Sequence, residues 1–169
     1  MKKLLTLTLT TLFASSVMAE APATFKMAVV QGSDGASDIR KGNYEKGINR
    51  IVARTSNTKA DEQVAMQMNL CVAYANSGQF DLANKACDEA IVLSKTFVES
   101  DSSAARFVSL ALNNRAIFKT KMQDFDGALQ DLMEAAEVKN TSIIEGNLLK
   151  LIHQQADNIQ FKTMQLTQA

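Results

Sequence analysis

Proline occurs once in the 169 residues, at Pro22, and tryptophan not at all. With Ala, Leu, Met, Lys and Gln frequent beyond residue 60, almost nothing interrupts helix, and an all-α fold is expected. Histidine also occurs once, at His153, so no second imidazole can complete a zinc site. The two cysteines, Cys71 and Cys87, lack the close Cys-x-x-Cys spacing that activates a thiol, which weighs against a redox centre. Long hydrophobic runs are missing too: Leu4 to Phe13 is diluted with threonine and falls far short of the ~20 residues a membrane span needs. Gln31-Gly-Ser-Asp-Gly35 has no following Gly-Lys-Ser/Thr and is no phosphate loop, and Asp34 with Asp38 lacks the alternating oxygen ligands of a calcium loop. No nucleophile motif sits on a strand-turn-helix. The expectation is therefore no catalytic residue, no metal and no cofactor.

The N-terminus offers Met1-Lys2-Lys3, the apolar run, and small residues ending at Ala19, the pattern of a secretory signal peptide cleaved after Ala19. No cysteine lies near that site for lipid attachment. Lysines and arginines total 18, as do aspartates and glutamates; removal of residues 1–19 takes Lys2 and Lys3 and no acid, leaving 16 basic against 18 acidic. Such a balance gives no electrostatic reason to bind nucleic acid or an anionic membrane. The expected product is a periplasmic or secreted chain of one domain, with no membrane insertion after cleavage.

Residues 20–36 are bracketed by turn formers around the apolar stretch Phe25–Val30, an extended arm. Such a segment needs a partner, either the helices or Ile159-Gln-Phe161 near the other end. Helical spacing then appears over Tyr44, Ile48, Ile51 and Val52, a truncated first unit over about 37–55. The Ser56-Asn-Thr58 cluster breaks it. A second unit is expected over 61–95, turning at Asn76–Gln79, and a third over 103–139, turning at Gln123-Asp124, with a polar break of Thr96, Glu99 and Ser100 to Ser103 between them. A capping helix over 142–156 presents Ile144, Leu148, Leu151 and Ile152 on one face, and 158–169 is a tail. The whole helical domain spans 37–157.

One pattern occurs twice: Leu70, Ala73, Tyr74, Gly78, Phe80, Ala83 and Ala90, then Leu112, Asn114, Ala116, Phe125, Ala128 and Ala135. It places small residues where two helices must touch, and it resembles the tetratricopeptide repeat. Gly42-Asn-Tyr-Glu-Lys-Gly47-Ile48 matches only that family's turn and second helix. There are departures: Gln67 replaces an aromatic, Lys119 stands where Tyr74 stands, and Lys95 and Asn140 occupy positions of the usual closing proline. The resemblance implies a short right-handed α-solenoid of antiparallel helix pairs, and an exported bacterial member of the family. It further implies binding of peptides or proteins along the concave face, here Ala65, Met68, Asn69, Val72 and Asn76, then Leu110, Asn113, Ile117, Thr120 and Lys121. The apolar centre of that face suits an apolar or amphipathic segment, and the protein's own Phe25–Val30 or its last residues could fill it instead.

In such a hairpin Tyr74 lies opposite Ala83 and Gln67 opposite Ala90, which sets Cys71 and Cys87 against each other at the crossing. An exported compartment is oxidising, so a disulfide is expected between them. The functional expectation is a non-enzymatic binding or scaffolding module of the cell envelope. The alternatives are a self-associating, homo-oligomeric envelope protein and, behind it, a thiol-dependent redox protein.

Overall fold

The computed structural model describes residues 24–54, 59–98 and 104–167. The expected leader 1–19, the break at 56–58 and most of the polar break before residue 104 lie outside these. The described chain is an extended arm followed by seven helices: α1 (Ala36–Arg40), α2 (Tyr44–Val52), α3 (Ala60–Ser77), α4 (Phe80–Val98), α5 (Ala105–Lys121), α6 (Phe125–Lys139) and α7 (Ser142–Thr167). Among the described residues there is no strand. No helix among them is long and apolar enough to cross a membrane.

Helices α3 and α4 form one hairpin and α5 and α6 the next, with α4 packed on α5 and α7 on α6. The first turn is tight because Gly78 adopts φ 79° and the Gln79 N–H reaches back to the Tyr74 carbonyl at 3.0 Å. The second uses Gln123 at φ 63°, after which the Asp124 carboxylate accepts the Gly127 N–H at 3.0 Å and caps α6. Where the paired helices touch, Ala73, Ala83, Ala116 and Ala128 are completely buried, and the absence of bulk there lets the backbones approach. The same closeness brings Cys71 and Cys87 to a Cα–Cα distance of 4.8 Å, and they form a disulfide. Such a bond is compatible with an oxidising compartment.

Two apolar clusters make the core. One joins Val64, Met68, Ile91, Val108, Leu112, Leu132, Ile144 and Leu151, and the other joins Ile39, Ile48, Ile51, Leu70, the cystine and Phe118. Between α5 and α6 lies a partly buried ion cluster: the Asp131 carboxylate accepts two bonds of 2.8 Å from Arg115 and pairs with Lys119 at 3.0 Å. Arg115 also reaches Asp88 on α4 at 2.9 Å. Hydrogen bonding to Asp131 holds the Arg115 guanidinium above its ordinary pKa, against the opposing effect of burial. Here is the reason for Lys119 in the place of an aromatic: its ammonium serves Asp131.

Helix α7 does not stop near residue 156 but continues to Thr167. No proline or glycine follows Gly146, and Gln, Lys, Met and Leu are good helix formers, so nothing local ends it. Its first half is anchored by Ile144, Asn147 and Leu151, all buried, whereas Ile152, Ile159 and Phe161 are exposed.

Candidate functional site

Residues 24–30 run extended across the face made by α3, α5 and α7, and that face meets them with asparagines. Asn69 on α3, Asn113 and Asn114 on α5 and Asn147 on α7 are each at most 1% exposed. An asparagine inside a helix is a poor helix former, and a buried amide without partners costs roughly 1–3 kcal/mol, so four of them together require an explanation. The arm supplies it. The Asn69 carbonyl oxygen accepts the Val30 N–H at 2.8 Å while its Nδ2 donates to the Val30 carbonyl at 3.0 Å. Asn114 does the same to Ala28, at 2.6 and 2.8 Å, and Asn147 to Lys26, at 3.0 and 2.7 Å.

Asn113 completes the row by donating to the Lys26 carbonyl at 3.1 Å and accepting from Asn147 at 2.8 Å. At the two ends, Lys150 donates to the Thr24 carbonyl at 2.9 Å, and the Ser33 hydroxyl donates to the Val30 carbonyl at 3.0 Å. Alternate residues of an extended chain present their N–H and C=O to the same side, so one amide can serve both groups of every second residue. The asparagines thus do for the arm what a neighbouring strand would do in a sheet. They read its backbone and are indifferent to its side chains.

Side chains are met elsewhere. Phe25 and Val30 pack against the larger apolar cluster, and Met27 and Val29 against the other. Of the two partners open to the arm, the helices have it; it does not pair with Ile159–Phe161. Beside it a cavity of about 640 Å³ remains, walled by Phe25, Met27, Val29, Ile39, Tyr44, Val72 and Ile117, with Arg40, Asn76, Thr120 and Lys121 also lining it.

Most positions expected on the binding face lie around the arm. Asn69 and Asn113 bond its backbone; Asn76 donates to the Met27 sulfur at 3.7 Å; Val72, Ile117 and Lys121 line the neighbouring cavity. Met68 is wholly buried in the cluster that Phe25 and Val30 pack against, and Leu110 borders the same cluster. Asn147 and Arg40 were not foreseen, and Asn114 was noticed only as part of the repeated pattern. His153 lines a second cavity, at the Thr24 end of the arm, with Thr24, Phe25, Lys150, Gln154, Asp157 and Asn158.

No family model, no curated protein and no solved structure matches the chain. The geometry of the arm and its asparagines therefore carries the functional argument by itself.

Proposed function

We propose that this protein is a non-enzymatic peptide-binding module of the tetratricopeptide type, a short helical solenoid exported to the cell envelope, whose groove takes an extended chain by its backbone. The observation that supports this is the row of Asn69, Asn114 and Asn147, each gripping both polar groups of one arm residue. An incoming peptide offers the same groups at the same spacing, so exchange leaves every buried amide satisfied. The arm competes at the effective concentration of a tethered ligand, on the order of millimolar for a short link, and an outside chain binds only by overcoming it. Apolar side chains at alternate positions, in the places of Met27 and Val29, supply the selectivity.

The test loosens the arm in the full chain. Ala28→Pro removes the N–H that Asn114 accepts and leaves the groove intact. A labelled peptide of residues 24–33 is expected to bind this variant at least tenfold more tightly than the unmodified protein, and the same peptide N-methylated at the positions of Lys26, Ala28 and Val30 is expected to lose binding. Equal binding of the methylated peptide, or none by either protein, refutes the reading.

Self-association is the second reading, favoured by the exposed Ile152, Ile159 and Phe161 of α7. Light scattering decides it: a monomer at high concentration removes it.

A further inference from the structure

The cavity beside the arm has a chemistry distinct from the groove. Its walls are apolar over Met27, Val29, Ile39, Val72 and Ile117, and no acidic residue lines it. Arg40 and Lys121, brought there from α1 and α5, are both exposed and make no ion pair or hydrogen bond among the described residues. The Tyr44 hydroxyl likewise has no hydrogen-bond partner among the described residues. Of the cations near this end of the molecule, Lys46 and Arg50 pair with Asp38 and Arg54 pairs with Asp34 and Glu62, while Lys41, next to Arg40, is exposed and does not line the cavity.

We infer that this cavity binds a small aliphatic monocarboxylate, its chain against Met27, Val72 and Ile117 and its carboxylate between Arg40 and Lys121. About 640 Å³ is within the range of small-molecule sites, which are mostly apolar with a few polar groups that fix orientation. A peptide suits the space poorly, because the side-chain donors that Asn76 and Thr120 could offer its carbonyls are already taken. Asn76 donates to the Val72 carbonyl at 2.7 Å and to Met27, and the Thr120 hydroxyl donates to the Ala116 carbonyl at 2.9 Å. A hydrocarbon chain needs no such partners. The site exists with the arm seated, so it goes beyond peptide exchange and does not depend on it.

Calorimetric titration of the full chain with octanoate, octanol and trileucine tests the assignment, with methyl shifts of Met27, Val72 and Ile117 locating the ligand. Octanoate is expected to bind one to one and to shift those methyls. Replacing both cations, Arg40→Gln with Lys121→Gln, weakens it about tenfold, or about 1.4 kcal/mol shared between two exposed ion pairs. Raising the salt concentration on the unmodified protein gives a second reading of the same charge: octanoate weakens and octanol does not. Octanoate binding no better than octanol, insensitivity to both the double substitution and salt, or tighter binding of trileucine each overturns the proposal. Failure of the arm-peptide experiment leaves these outcomes unchanged, so the two readings fail separately.

Discussion

Asn69 and Asn114 hold equivalent stations on successive hairpins, each with its side-chain amide bonded to both the N–H and the C=O of one arm residue, Val30 for the first and Ala28 for the second. The arm is thereby built into the buried polar structure of the molecule. Its removal leaves several amides without partners at once.

Substitution at one station measures its worth. Asn114→Ala is expected to destabilise the protein by about 2 kcal/mol, since the Ala28 N–H and C=O lose their partner together. Asn114→Asp keeps the acceptor and loses the donor, and puts a charge into a buried site, so it should cost at least as much. Denaturant unfolding gives the energies, and amide exchange at Lys26, Ala28 and Val30 shows whether the arm opens before the helices do. Unchanged exchange at Ala28 in Asn114→Ala would show that the amide does not hold the arm.

The disulfide closes a short loop within the α3–α4 hairpin. Replacing both Cys71 and Cys87 by alanine is expected to cost about 3 kcal/mol in the chain-entropy picture, while the helices still form because Ala73, Ala83 and Ala90 remain at the crossing. Circular dichroism with thermal melting checks both halves of that statement. Arm-peptide binding by a variant that also carries Ala28→Pro is expected to persist, which separates a structural bond from a redox one.

Arg115 and Asp131 form a pair whose halves are unequal. The Asp131 side chain is 3% exposed and that of Arg115 23%. Arg115→Met leaves a buried carboxylate with Lys119 alone and is expected to cost about 3 kcal/mol, whereas adding Asp131→Leu to it should recover a good part of the loss. The pairwise term from a double-mutant cycle decides. A double variant as unstable as Arg115→Met, or worse, would show that the cluster is needed for more than its own neutralisation.

The helical hairpins were legible because their signal is local and repeated: alanines at fixed stations, a glycine or aspartate at each turn. The cystine followed from the same register. The asparagine row was legible in part. Asn114 lies 45 positions after Asn69, the interval that also separates Phe125 from Phe80, and Asn147 lies a further 33 on. Helix-disfavouring residues recurring at the repeat interval are a signal of buried polar duty, and it was there to be taken. Arg40 was not legible. It shares a cavity with Lys121 only because the short first pair packs on α3, and no periodicity in either segment carries that information. The extent of α7 was obscured for a different reason: its last turns bury little, so no apolar stripe marks them, and intrinsic propensity alone continues the helix.

Two glycines inside helices should respond to alanine with opposite sign. Each trades a flexible residue for the best helix former, a gain of about 0.5–1 kcal/mol where space allows. At Gly146 on α7 a methyl group would meet nothing within 4 Å, so Gly146→Ala is expected to stabilise by that amount. At Gly47 on α2 the new Cβ would collide with the Ile39 side chain and come within 3.2 Å of the Gly35 carbonyl oxygen. Ile39 is itself 3% exposed and cannot move aside without opening the core, and Gly35 sits at φ 72°, a conformation that resists adjustment. Gly47→Ala should therefore destabilise by about 1–3 kcal/mol and loosen α1 and α2 together. Because Ile39 and Arg40 line the cavity from α1, the same substitution should also weaken octanoate binding, while Gly146→Ala leaves it unchanged. Thermal melts of the two variants with and without octanoate read both effects in one experiment, and stabilisation by Gly47→Ala would mean that α1 and α2 pack less closely than the structure has them.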